Sequence, residues 1–433
     1  MRIIRRFVLC ALALCAAALP VRAGEEPSEV PKVIPQVRPA VKRALEDLKQ
    51  RQPRLPLAPL TDEERQAAGD RQIVNNGRMA AFYLPTSWRQ GRRGSDPGMT
   101  LDYPFTTECF WIVSRGNNCH YCLGHQEHKL AAVGLSDNRI ASLDSDWSVF
   151  LPREQAAFAL ARQMTLAPHT VGDEDVDRLK KFFTDREIVE LVYTIARFNS
   201  TNRWTDSMGI PQDRQFRDGE IRFDEPTSER FLESPSLVAP SADQHRPPLE
   251  PRAAVEGALA ACRQRAARVA LASEEEARAV LPTDLSGKPV PEWVRALAIF
   301  PETCRGQVTT LDAIAKEGRL DKLLKAQIAW TCARHNRAWY ALADAQRRLA
   351  ALGQSVDQMY SLDDPGDALS PGSREALAFA AKLTAAPHTI ADADVARLRK
   401  YFSDHETAEI DYVVCSSNMF DRFTETLGLK WID

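Results

Sequence analysis

The sequence predicts an all-α protein built from one helical unit used twice. Three observations carry that reading: apolar residues recur at helical spacing, strand-like alternation is scarce, and a long stretch repeats itself at a fixed offset. A length of 433 residues sets an expectation of two or more domains with a sizeable core. The net charge of −3 and an aromatic content of 8% give no basic field for a phosphate backbone, so nucleic acid is not an expected partner.

Taken in order, residues 1–23 read as a secretory signal. Arg2, Arg5 and Arg6 precede the apolar stretch Phe7 to Leu19, and Val21-Arg22-Ala23 forms a small-x-small cleavage site. The apolar stretch falls short of the roughly 20 residues that span a bilayer, and Leu14 before Cys15 argues against lipoprotein processing. The mature chain is therefore expected to be exported, periplasmic or secreted, without a membrane span. Removal of the leader takes Cys10 and Cys15 with it and leaves Cys109, Cys119, Cys122, Cys262, Cys304, Cys332 and Cys415. Of these, Cys262, Cys332 and Cys415 lie in apolar helical patterns and are expected to be buried thiols.

The first unit is assigned to residues 34–214. Val176, Leu179, Phe182 and Phe183 fall on one helical face and Ile188, Leu191, Val192 and Ile195 on another, with Asp173 and Asp185 as expected N-caps. Residues 215–250 are rich in Pro, Ser, Asp and Glu and read as an exposed linker. The second unit is assigned to 251–433. Ala167-Pro168-His169-Thr170 returns as Ala386-Pro387-His388-Thr389, and Glu190, Tyr193, Asn199 and Arg203 return as Glu409, Tyr412, Asn418 and Arg422, all 219 residues on. Farther upstream, the stretch from Ala40 to Ala58 resembles that from Ala254 to Ala272 at an offset of 214. Because His169 recurs as His388, both are read as structural.

One segment carries chemistry: Glu108 to His128, with Cys119-His120-Tyr121-Cys122 and three of the eight histidines. Gly116-Asn117-Asn118 should break one helix, and Asn118 should cap a second beginning at Cys119. There the helix dipole would favour thiolates and the two sulfurs could exchange between dithiol and disulfide. A static disulfide and a zinc site are the competing readings. Cys119, Cys122, His125 and His128 recur at every third residue, yet each step rotates the side chain by about 60°, so one helix cannot wrap them around a metal. Haem attachment would need histidine where Leu123 stands. No metal or cofactor is expected. His120 is expected to be exposed, and His128 to face away from the pair.

These residues, with Phe198-Asn199-Ser200-Thr201-Asn202-Arg203 ahead of Gly209, resemble the alkylhydroperoxidase D-like, carboxymuconolactone decarboxylase-type helical domains. Arg295 to Pro301 and Gly318 to Lys325 resemble the opening helices of the same family in the second unit. The resemblance implies a thiol-dependent peroxidase. Cys122 would attack the peroxide, Cys119 would resolve the product, and Glu108 with a downstream histidine would relay protons. Two departures are visible. Glu108 is one residue closer to the pair than in the usual motif, and Gln126 fills the usual histidine slot, leaving His125 beside it for the role. The resemblance implies a peroxide substrate, a thiol or dithiol reductant and association into homo-oligomers. Two other readings stand beside it: an exported scaffold with a structural Cys119–Cys122 disulfide, and a lactone decarboxylase, which the cysteine pair and the export signal oppose. At the offset of 219 the second unit has Gln327, Ala338, Ala341 and Asp344 in place of Glu108, Cys119, Cys122 and His125, so it is expected to keep the fold without the chemistry.

Overall fold

The computed structural model describes residues 37–56, 59–68, 75–92, 96–212, 227–240, 246–281 and 289–432. The expected signal segment lies outside them. All regular structure among the described residues is helical, as the apolar spacing predicts. In chain order the α-helices are α1 (Arg38–Asp47), α2 (Asp62–Ala68), α3 (Asn76–Tyr83), α4 (Tyr103–Gly116), α5 (His120–Ala132), α6 (Asp137–Ser145), α7 (Pro152–Leu166), α8 (Asp173–Lys180) and α9 (Asp185–Ser207). They continue with α10 (Arg252–Cys262), α11 (Glu274–Val280), α12 (Glu292–Leu297), α13 (Pro301–Lys316), α14 (Lys322–Asn336), α15 (Trp339–Ala351), α16 (Val356–Tyr360), α17 (Pro371–Ala385), α18 (Asp392–Leu398) and α19 (Asp404–Thr426). From α4 to α9, every helix start recurs 219 residues later, and α1 recurs as α10 at an offset of 214.

Local chemistry sets these boundaries, and it corrects the expected caps. α9 is capped one residue before Asp185: the Thr184 side chain accepts the Glu187 N–H while the Glu187 carboxylate accepts the Thr184 N–H, a reciprocal capping box. Ser403 and Glu406 repeat it at α19. α8 is entered through Gly172, whose N–H is taken by Asp175, so Asp173 sits in the first turn. Because α8 ends at Lys180, Phe182 leaves its face and is exposed, whereas Val176, Leu179 and Phe183 are buried. Asp173 and Asp185 still favour their helix starts, since carboxylates in the first turn oppose the helix dipole.

The two long helices α9 and α19 pack against each other through the middle of the molecule. Tyr193 meets Phe423 edge to face at 6.1 Å, and Trp204 meets Tyr412 at 5.8 Å. Polar contacts across this seam come in matched pairs. Arg203 donates to the Thr384 carbonyl (3.3 Å), and Arg422 donates to the Met164 carbonyl (2.9 Å). Arg54 holds the Asp206 and Ser207 carbonyls and Asp392, as Arg268 holds the Glu425 and Thr426 carbonyls and Asp173. The described parts of the linker do more than connect. Phe231 and Val238 are buried, Ser236 engages Asp144, and Glu250 pairs with Arg334.

Candidate active site

The turn between α4 and α5 brings the two cysteines together. Asn118 takes the left-handed conformation (φ 56°), its N–H bonds to the Arg115 carbonyl, and the Cys119 N–H bonds back to the Ser114 carbonyl at 2.9 Å. This is a Schellman closure, for which asparagine is tolerated at the left-handed position. Asn118 therefore ends α4 instead of capping α5. Cys119 is itself the cap: its sulfur accepts the Cys122 N–H at 3.3 Å.

A residue that sequence reasoning missed completes the arrangement. The Thr205 hydroxyl lies 3.2 Å from the Cys119 sulfur and 3.0 Å from the Cys122 sulfur. The same hydroxyl lies 2.9 Å from the Thr201 carbonyl and 3.3 Å from the Asn202 carbonyl, to which it can only donate; with its proton there, its lone pairs can accept from two S–H groups. All described cysteines are free thiols. The one sequence signal for Thr205 is its counterpart Thr424 at the offset of 219, whose hydroxyl donates in the same way to the Phe420 carbonyl. An amide network holds α9 to the turn: Asn117 Nδ2 donates to Asn199 and Asn202, and Arg203 donates to Asn117.

Both sulfurs are buried, Cys119 fully and Cys122 at 2% exposure. Burial pushes the Cys119 thiol well above its usual range; the neighbouring Cys122 adds to the rise, and the Thr205 hydroxyl acts against it. The buried positions expected for Cys262, Cys332 and Cys415 are found, but burial does not distinguish them from the pair.

His125 and Glu108 sit apart from each other. The His125 Nδ1 is 2.9 Å from the Tyr121 carbonyl, which can only accept, so this contact is a hydrogen bond in the tautomer that carries the proton on Nδ1. The Tyr121 ring stacks obliquely on His125 at 4.2 Å, and the Gln212 amide lies 3.4 Å from Nδ1. Gln212 packs so closely over Gly124 that a Cβ there would come within 2.8 Å of its amide. Gln126, in the expected histidine slot, is buried and donates to the Cys122 carbonyl. Glu108 is bound by Arg139 at 2.8 Å, and Arg139 also reaches Glu154. Together with Asp102 and Phe105 they line a cavity of about 410 Å³. Burial raises Glu108 above the ordinary carboxylate range, and Arg139 opposes the rise. On α5 itself, Glu127 accepts Trp111 Nε1 and a two-pronged bond from Arg38, a structural tie among α1, α4 and α5.

The remaining histidines lie elsewhere. His120 is partly buried, contrary to the expected exposure, and burial lowers its pKa to about 4. His169 and His388 occupy matching one-turn helices, Pro168–Thr170 and Pro387–Thr389. Among the described residues no three His, Cys, Asp or Glu side chains converge to hold a metal, and no helix is long and apolar enough to cross a membrane.

The second half repeats the turn without its sulfur. Arg337 adopts φ 53°, Ala338 caps α15 by position alone, and Ala341 fills the place of Cys122. Asp344 is tied to Arg347 and Arg348.

No family model matches the chain. An uncharacterized protein of Bacillus subtilis (strain 168), YdfG, is 31% identical over 100 residues, covering 22% of this chain and 68% of that protein. Two solved structures are similar over part of the chain. One is a variant of the debrominase Bmp8 in complex with 2,3,4-tribromopyrrole, at 16% identity and a TM-score of 0.31, covering 33% of this chain and 76% of that one. The other is an uncharacterized peroxidase-related protein from Silicibacter sp. TM1040, at 19% identity and a TM-score of 0.31, covering 44% and 94%.

Proposed function

The chain belongs to the same family as the uncharacterized protein YdfG of Bacillus subtilis; from its cysteine pair and helical fold we propose that it is a thiol-dependent disulfide oxidoreductase of the alkylhydroperoxidase D-like type, with Cys119 and Cys122 as its redox pair. The observation that carries this reading is the shared hydroxyl of Thr205, within hydrogen-bond reach of both sulfurs at a helix start. We read the two halves as copies of one unit and the second as the one that has lost the chemistry. Export places the reaction outside the cytoplasm, with a thiol or dithiol as electron donor.

In this mechanism the Cys122 thiolate attacks a hydroperoxide. An S–O bond forms, the O–O bond breaks, and the departing alkoxide takes a proton to leave as alcohol. The Cys119 sulfur then attacks the sulfenic acid, forming the S–S bond and releasing water. An external dithiol restores the pair. As charge develops on either sulfur, the Thr205 hydroxyl can turn from the Thr201 carbonyl to donate to it. His125, one turn beyond Cys122 on α5, is assigned as the base for the Cys122 proton, with the Tyr121 carbonyl favouring the tautomer protonated at Nδ1. Glu108 joins that relay only by exchanging its Arg139 partner.

Burial of both sulfurs favours a second reading, in which the pair is a structural disulfide of an exported scaffold. A structural bridge should have a potential below about −300 mV and a working one above it. The deciding experiment treats the reduced protein with hydrogen peroxide or an alkyl hydroperoxide, then counts thiols and maps the products by mass. Loss of two thiols as a Cys119–Cys122 disulfide is expected. Cys119→Ser should stop at a sulfenic acid on Cys122, and His125→Asn should slow the first step by about 10²-fold. Oxidation elsewhere, or none, would overturn the proposal.

A further inference from the structure

Where the ends of α7 and α17 face each other across the seam, the buried guanidinium groups of Arg203 and Arg422 lie near Arg246, a half-buried residue whose Nε is enclosed. Arg203 donates to Asn117 Oδ1, to Asn199 and to the Thr384 carbonyl. Arg422 donates to the Met164 and Thr165 carbonyls and to Asn418. Arg246 donates to the His335 carbonyl and Asn336 Oδ1. Every one of these acceptors is neutral, and the Nε–H groups of Arg203 and Arg246 are buried without a protein partner. Such an arrangement is costly, because a buried charge is ordinarily paired.

The carboxyls nearby do not balance it. Glu250 is engaged by Arg334 and Arg337. Asp421, whose charge reaches all three arginines, is bound to Asn336 Nδ2 at 2.8 Å, and burial raises its pKa to about 7. At most one negative charge faces three positive ones. Beside them lies a cavity of about 20 Å³ whose wall includes Arg246, Asn117, Thr165 and His388. Asn117 is the residue Arg203 holds, and Thr165 offers its carbonyl to Arg422, so the cavity touches all three arginines directly or through one partner. A water molecule needs about 10–15 Å³ measured this way, so there is room for a monatomic ion and none for sulfate or phosphate.

We propose that this cavity is a halide site, occupied by chloride, in which a buried anion between Arg246 and the Arg203–Asn117 network neutralises the seam and helps hold the two halves together. It uses none of the residues assigned to the redox pair. The test uses the full mature protein. Crystals soaked in bromide should show an anomalous peak against Arg246, and Tm should rise saturably with sodium chloride, by about 2–4 °C, relative to sodium gluconate at equal ionic strength. Arg246→Gln should abolish both effects, and Arg246→Lys should retain part of the Tm response. An ordered water or an empty cavity without anomalous signal, or a Tm indifferent to the anion, would overturn the site; if Arg246→Gln does not fold, the bromide map of the parent decides.

Discussion

Single side chains decide whether the cysteine pair can work. Thr205→Val keeps the shape of the side chain and removes the one hydroxyl that both sulfurs share. Its loss should slow peroxide-driven oxidation of the reduced pair by about tenfold, the scale of one charge-assisted hydrogen bond. Stopped-flow fluorescence of the single turnover checks this, and an unchanged rate would remove Thr205 from the site. Asp421 offers a second test, because its counterpart at the offset of 219 is Asn202, which accepts the matching bond from Asn117. Burial holds the Asp421 carboxyl at about 7, so the folded protein keeps a proton that the unfolded chain releases near its usual value of about 3.9. The associated stability is full below that value and is lost as pH rises through 7. Asp421→Asn should therefore lessen the fall in stability between pH 4 and pH 8, by about 1–3 kcal/mol over that range, measured by urea unfolding. At this scale the sequence revealed the sulfurs but not their neighbours. Thr205 lies 83 residues from Cys122 in the chain, and Arg139, the partner of Glu108, is 31 residues from it, so nothing local marks either contact.

Elements were more legible, since helical spacing of apolar residues is a local property and the offset of 219 holds for every helix start from α4 to α9. The expected caps at Asp173 and Asp185 missed by a residue because an acidic side chain is favourable both at the cap and in the first turn. The turn at Gly116-Asn117-Asn118 was expected from its composition, but Asn118 serves the end of α4 rather than the start of α5, a difference that depends on its positive φ. Asn118→Val should be costly there, because a β-branched residue resists the left-handed region by about 1–2 kcal/mol, whereas Asn118→Gly should be near neutral. Thermal unfolding of both variants gives the comparison. If valine costs no more than glycine, the Schellman closure is not what sets the Cys119 cap.

On the scale of the whole molecule, the halves are less separable than two units joined by an exposed linker would be. The α9–α19 seam buries Trp204, Tyr193 and Phe423, the paired arginines cross it, and the Tyr412 hydroxyl donates to the Trp88 carbonyl of the first half. A fragment of residues 251–433 would expose this surface. It should therefore either self-associate through α19 or lose helical content, as size-exclusion chromatography with light scattering and circular dichroism would report. A well-folded monomer of that fragment would show the seam to be dispensable. The sequence disclosed the offset but not the seam, because the contacts that form it join residues far apart in the chain, 181 positions for Arg203 and Thr384 and 258 for Arg422 and Met164.

The sulfur-free turn at Arg337-Ala338 has a use that its present chemistry does not suggest: it is a ready-made chassis. The left-handed residue, the helix start and the Thr424 hydroxyl are all in place, and only two methyl groups stand where thiols would go. Installing Ala338→Cys and Ala341→Cys together should create a second dithiol in a setting where Asp344, bound to arginines, replaces His125, Ala345 replaces Gln126 and Gln327 replaces Glu108. A protein carrying both pairs would compare, within one molecule, a thiol pair with a histidine beside it and a pair without. Mass mapping after peroxide would read their rates side by side, under identical solvent, temperature and concentration. Faster oxidation of the native pair would assign the difference to what surrounds the sulfurs rather than to the turn that presents them.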